Sequence, residues 1–211
     1  MIVANVLLWG RRIGAVQQAD LQSTPVFNYD REFLRSGIEL SPLAMPLSGV
    51  LYSFPALSLD SFYGLPGLLA DSLPDRFGTT LLDSYLARSG RDFTQLSAVE
   101  PLLYTGKRGM GALEFEPAND DFLFDSSVDI GELVDVANAV LNQREHVSAN
   151  LDSAGLARLV SLGTSAGGAR AKAVIAWNQK TNDVRSGQIE LDPGYEHWLI
   201  KFDGIERNKD H

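Results

Sequence analysis

Ten consecutive residues, Gly163-Thr164-Ser165-Ala166-Gly167-Gly168-Ala169-Arg170-Ala171-Lys172, combine three glycines, two hydroxyls and two bases. Glycine lets a backbone pass close to a ligand and turn its N–H groups inward. A concave row of such donors favours anions, phosphates above all. The chemistry this stretch suggests is the cradling of a nucleotide. Thr164 and Ser165 can bond a phosphate, accept one, or cap the next element. Lys172 is either a phosphate contact or a strand-end charge. The GxxxxGK[ST] spacing of a Walker A loop is absent, and so is GxGxxG, because Gly163 is followed by Thr164-Ser165-Ala166.

What must position this loop is legible around it. A helix-like segment at 155–162 precedes it, and an apolar strand at 173–177 follows. A polar turn is expected at 178–187 and a second strand at 188–191. His197 to Phe202 reads as a third strand, bearing Lys201. The order glycine loop, strand, strand, strand with lysine is that of a kinase N-lobe, where a flexible loop covers the phosphates and a strand lysine reaches them. Lys201 lies between Ile200 and Phe202 and so points opposite to both. It faces either a nucleotide under the sheet or solvent on a half-exposed strand.

Upstream, residues 4–9 and 12–17 flank Gly10 as a hairpin, and 26–30 alternates like a third strand. A short helical turn is expected at 32–36, a strand at 50–53, and a helix at 65–70 with Pro66 near its first turn. Residues 75–89 make the clearest amphipathic helix, with Phe77, Leu81, Leu82, Tyr85 and Leu86 at helical spacing and Gly90 as its stop. Another short helix is expected at 94–99 and a strand at 109–115. The acidic stretch 116–125 marks a boundary, and 130–143 is expected to be helical.

Composition narrows the function. The 211 residues are 45% hydrophobic, enough for a real core, and there is no cysteine for a disulfide or thiolate site. The net charge of −9 disfavours autonomous nucleic-acid binding, which needs a basic face, and suits a basic protein partner. Arg11-Arg12 and Lys107-Arg108 read as solvated turns. No stretch approaches the ~18 apolar residues of a membrane span, and the N-terminus lacks the basic region of a signal peptide. Asp71 and Asp75 near Arg76 read less as an acid–base pair than as a stretch in which Ser72 or Asp75 caps a helix. His146, His197 and His211 are scattered, without HExxH spacing. Trp9, Trp177 and Trp198 are expected to pack in the core or at sheet edges.

Two blocks resemble one family. The first is LPGLLADSLPD from Leu65 to Asp75, continuing through Gly78 and Leu82 to YTGKRGMGALEFEP from Tyr104 to Pro117. It resembles the N-terminal subdomain of HipA toxins, the kinase components of bacterial HipBA toxin–antitoxin modules linked to persistence. The second, residues 163–172 followed by EHWLIKFDG from Glu196 to Gly204, is similar to the family's phosphate loop and nucleotide lysine. The resemblance implies a cytoplasmic serine/threonine kinase using ATP and Mg2+. It implies a protein substrate of the aminoacyl-tRNA synthetase type. It also implies a HipB-like antitoxin dimer as partner, with DNA reached only through that antitoxin and no membrane role.

Residue by residue, the resemblance makes Ser165 the candidate for autophosphorylation. Thr164, Ser165, Ala166, Gly167, Gly168, Ala169, Arg170 and Lys172 become the ATP-proximal stretch, and Lys201 the lysine on the phosphates. The resulting expectation is an α+β chain. Residues 1–118 form the HipA N-terminal subdomain, and 119–211 form a kinase N-lobe with a mainly antiparallel sheet. The family's catalytic and metal-binding aspartates belong beyond the lysine strand. The sequence ends at His211, so the expectation is the N-terminal half of a longer kinase, inactive by itself. The alternative is a non-catalytic interaction module that docks on an antitoxin or on a separate kinase lobe.

Overall fold

The computed structural model describes residues 1–118, 127–131, 133–135, 160, 172–188 and 191–202. The strands are β1 (Ile2–Leu8), β2 (Arg11–Gln18), β3 (Val26–Tyr29), β4 (Tyr52–Ser53), β5 (Leu113–Glu116), β6 (Lys172–Asn178), β7 (Asp183–Ser186) and β8 (Glu196–Lys201). The helices are α1 (Leu59–Phe62), α2 (Gly67–Ala70), α3 (Arg76–Arg88) and α4 (Glu100–Thr105). The architecture is α+β, with antiparallel sheets and few helices. The chain divides into two compact units: Met1–Leu73 with Thr94–Asn119, and Pro74–Phe93 with Asp120–His211.

The first unit is built on a five-stranded sheet of order β4-β3-β2-β1-β5. Alternation sets its buried face: Ala4 and Val6 on β1, Ile13 on β2 and Phe27 on β3 are fully covered. Trp9 and Gly10 join β1 to β2 with φ of 50° and 74°, the doubly left-handed turn that suits the twist of a tight hairpin. Trp9 therefore sits at a turn tip and is 80% exposed, not packed as expected. At Gly14 a Cβ would fall 2.4 Å from the Asn28 carbonyl oxygen, so only glycine lets β2 and β3 approach there.

Two local readings of this unit change. The helix expected at 94–99 is a 3-10 turn at Phe93–Gln95, followed by α4. Ser97 and Glu100 exchange hydrogen bonds of 2.7 and 3.2 Å as a capping box, which starts the helix later than the apolar pattern suggests. The Lys107-Arg108 pair splits: Lys107 is exposed and meets Glu116 at 3.4 Å. Arg108 is only 7% exposed and donates to the Tyr104 carbonyl oxygen.

In the second unit β6 is the centre of a three-stranded sheet of order β7-β6-β8. The segment read as a polar turn contains β7. Val184 and Ser186 are buried there while Asp183 and Arg185 lie half-buried between them, an alternation masked by the polar composition. Gln188 lies in the turn that follows, not in a strand. Helix α3 follows its sequence pattern: Phe77, Leu81, Leu82 and Leu86 are buried. Residues 130, 131, 133–135 and 160 are helical; the rest of the helices expected at 130–143 and 155–162 lies outside the described residues.

Candidate functional site

The register of the second sheet sorts its side chains into two faces. Lys172 pairs with Lys201, Val174 with Leu199 and Ala176 with His197 across β6 and β8. Partners in an antiparallel ladder share a face, so Lys172 and Lys201 flank one another beyond an apolar floor of Val174, Ala176 and Leu199. Lys172 opens β6 and Lys201 closes β8. Both therefore lie at the same end of the sheet. Lys172 is 7% exposed, whereas Lys201 is exposed.

Two ammonium groups directly opposite on a sheet repel each other. A carboxylate offsets part of that charge: Lys172 acts electrostatically on Asp75, the N-cap of α3. Asp75 Oδ1 accepts the Gly78 N–H at 2.9 Å, as the capping expectation requires. Burial pushes the Asp75 carboxyl above the usual carboxylate range, opposed by the Gly78 hydrogen bond and by Lys172. An aromatic contact fixes the same corner: Phe77 in the first turn of α3 lies 6.4 Å from Phe202, which follows Lys201. The sequence gives no sign of this juxtaposition, because a cap residue and a distant strand lysine carry no shared pattern.

The opposite face bears Ile175, Trp177, Val184, Trp198 and Ile200. With Ser127–Gly131 it encloses a cavity of about 770 Å³. The two indoles lie 6.4 Å apart and inclined at 60°. Trp177 Nε1 donates to Asn182 Oδ1 at 3.3 Å. Trp198 is 47% exposed, so these tryptophans line a cavity instead of filling a core. Asp129 lines this cavity, and no lysine or arginine is among its described lining residues.

Of the residues singled out in the sequence, Lys172 and Lys201 are brought together. Thr164, Ser165, Ala166, Gly167, Gly168, Ala169 and Arg170 lie outside the described residues, as do Asp203 and Asp210. Among the described residues no group of three or more His, Asp or Glu side chains could hold a metal ion. None of the described helices is long and apolar enough to cross a membrane.

The model of the HipA N-terminal domain matches residues 4–116, just over half of the 211-residue chain. The chain belongs to the HipA family. A search of curated proteins finds no significant match. The matched span runs from β1 to the end of β5 and includes α3. The HipA assignment therefore covers the capped helix that meets the lysine-bearing sheet, while that sheet itself lies beyond the matched residues.

Proposed function

We propose that this chain is the N-terminal portion of a HipA-type serine/threonine kinase and that its second unit is the nucleotide-facing N-lobe. The observation that supports the reading is the cross-strand pair Lys172 and Lys201, on one face, with Lys172 directly following the glycine-rich residues 163–171 in sequence. Two cations at one end of a sheet suit a polyphosphate tail. Lys201, exposed, meets the phosphates. Lys172, covered, opens β6 directly after that stretch in sequence.

ATP supplies the phosphoryl group in this reading, and the residues here bind and orient it. Ser165 is the candidate acceptor for autophosphorylation, with Thr164, Ala166, Gly167, Gly168, Ala169 and Arg170 around the phosphates. In this reading Mg2+ and the catalytic and metal-binding aspartates belong to the full-length kinase. The family context supports a cytoplasmic toxin with a HipB-like antitoxin as partner and a translation protein of the aminoacyl-tRNA synthetase type as substrate. In the protein carrying both kinase lobes, Lys201→Met should abolish ATP-dependent autophosphorylation at Ser165. Full activity in that variant would remove Lys201 from the site.

A docking role has its own support in the first unit, where Trp9, Leu43, Leu51 and Leu59 are between 68% and 99% exposed. Capture of the 211-residue chain by its cognate antitoxin, lost in a Trp9→Ser/Leu43→Asp variant, is the expected result. Capture unchanged by both substitutions would exclude these side chains from the interface.

A further inference from the structure

We propose that Tyr195 is a positioning residue for Lys201, its hydroxyl pinning the start of β8 to β7 so that β8 keeps the register that sets Lys201 beside Lys172. This deepens the kinase reading and rests on it. The need for a pin follows from the exposure of β8. Among the described strands β8 is an edge, paired with β6 alone. Every residue from Glu196 to Lys201 except Ile200 is exposed. A strand takes its register mainly from the face it buries, and a slip of one residue turns every side chain over. The buried anchor of β8 follows its last residue: Phe202 is 6% exposed and lies 6.4 Å from Phe77. Burial therefore holds the far end of β8 and leaves its start to other contacts.

Tyr195, immediately before Glu196, supplies them. Its hydroxyl donates to Asp183 Oδ2. Asp183 opens β7 and is the Cα partner of Asn178, the last residue of β6. Because β6 lies between β7 and β8, the Tyr195 side chain spans the central strand to reach the far one. Arg185 Nε meets the same carboxylate oxygen at 2.7 Å, and its guanidinium lies 5.8 Å from the centre of the Tyr195 ring. The phenol is held at its hydroxyl and along its ring. Gln179 Nε2 also donates to Glu196 Oε2 at 2.8 Å, but that bond is exposed.

Parity ties this contact to the lysine. Asn178, Ala176 and Lys172 alternate onto one face of β6, and they pair with Asp183, Arg185 and Lys201 respectively. Tyr195 and Lys201 stand an even number of residues apart, so both belong to that face. A one-residue slip of β8 takes the hydroxyl away from Asp183 and turns Lys201 away from Lys172.

Tyr195→Phe keeps the ring beside Arg185 and removes only the hydroxyl. It is compared with Lys201→Met, the double variant and the unsubstituted 211-residue chain. Cross-strand nuclear Overhauser contacts of Ala176 with His197 and of Lys172 with Lys201, hydrogen exchange of the β6 and β8 amides, ATP affinity and Tm are measured for each. Tyr195→Phe should speed exchange in β8 about fivefold, the worth of one hydrogen bond, and weaken the contact of Ala176 with His197. ATP affinity should fall about threefold, by the fraction of chains that leave the register.

In the Lys201→Met background Tyr195→Phe should still speed exchange but weaken ATP no further, because the tyrosine acts through the lysine. A tyrosine that only stabilised the fold would weaken ATP equally in both backgrounds. Exchange or affinity unchanged in Tyr195→Phe, or affinity losses that add in the double variant, would overturn the proposal. Failure of the unsubstituted chain to bind ATP would instead sink the nucleotide reading. The exchange and cross-strand contacts would still report whether Tyr195 holds β8 in register.

Discussion

Lys172 and Lys201 are direct cross-strand partners, one covered and one exposed, at the same end of the second sheet. Two like charges in that register oppose strand pairing, so the arrangement is costly to the fold.

The covered Arg108 carries the clearest prediction for the first unit. Burial lowers its guanidinium pKa to about 10, and it donates to the Tyr104 carbonyl oxygen. Arg108→Ala removes the donor and leaves that carbonyl without it, at an expected loss of about 2–3 kcal/mol. The neighbouring pair of Lys107 and Glu116 is exposed, so Lys107→Ala should cost under ~1 kcal/mol. Urea unfolding of the two variants separates them. Equal losses would contradict the assigned burial.

Tyr29 predicts an alkaline limit. Its hydroxyl donates to the Met45 carbonyl oxygen at 2.9 Å inside the first core. Burial raises its pKa above 10.0, aided by Tyr52 and Glu39. A raised folded pKa means the neutral phenol is favoured in the folded protein. Its stabilisation is complete below the unfolded value and lost as pH rises through the folded one. Unfolding followed from pH 9 to 12 should show Tyr29→Phe less stable by about 1 kcal/mol at the lower end. The gap should close as pH rises. A constant gap would show that the hydroxyl does not titrate with folding.

Gly187 supports β6 from behind. Its N–H donates to the Val174 carbonyl oxygen at 3.0 Å. A Cβ there would stand 2.6 Å from Val174 Cγ1 and 2.8 Å from the Ile175 carbonyl. Gly187→Ala should destabilise by about 1–3 kcal/mol, the usual cost of forcing atoms into packed space. Because Val174 shares the lysine face, ATP affinity should fall as well. Thermal melts and titration check both. Wild-type values for each would mean that β6 yields without consequence.

Gln188 gives a prediction of the opposite sign. Both amide atoms of its side chain are buried, and among the described residues neither has a hydrogen-bond partner. Gln188→Met keeps the length of the side chain and removes the unmet polar groups, so stability should rise by about 1 kcal/mol. A loss of stability would point to a polar partner that the amide serves.

Much of this fold is legible because burial is periodic. β1, β2, β3 and α3 announce themselves by apolar spacing and by their terminators, Gly10 and Gly90. Where burial is polar, the pattern goes silent: β7 hides in Asp183-Val184-Arg185-Ser186, and Arg108 looks like a surface charge. The candidate site divides the same way. Lys201 was singled out because strand alternation isolates it between Ile200 and Phe202. Its pairing with Lys172 depends on register, and the approach of Asp75 depends on how α3 packs. Neither leaves a local trace in the chain.

The central claim, that the lysine face of the second sheet receives a nucleotide, is tested most directly by titrating the labelled 211-residue chain with ATP and magnesium while recording amide and indole N–H resonances. Shifts are expected at Lys172, Val174, Leu199 and Lys201, with the Trp177 and Trp198 indoles unmoved, and Lys201→Met should weaken the response at least about tenfold, as loss of a charged hydrogen bond would. Shifts confined to the tryptophan face, or none on either face, would contradict the account.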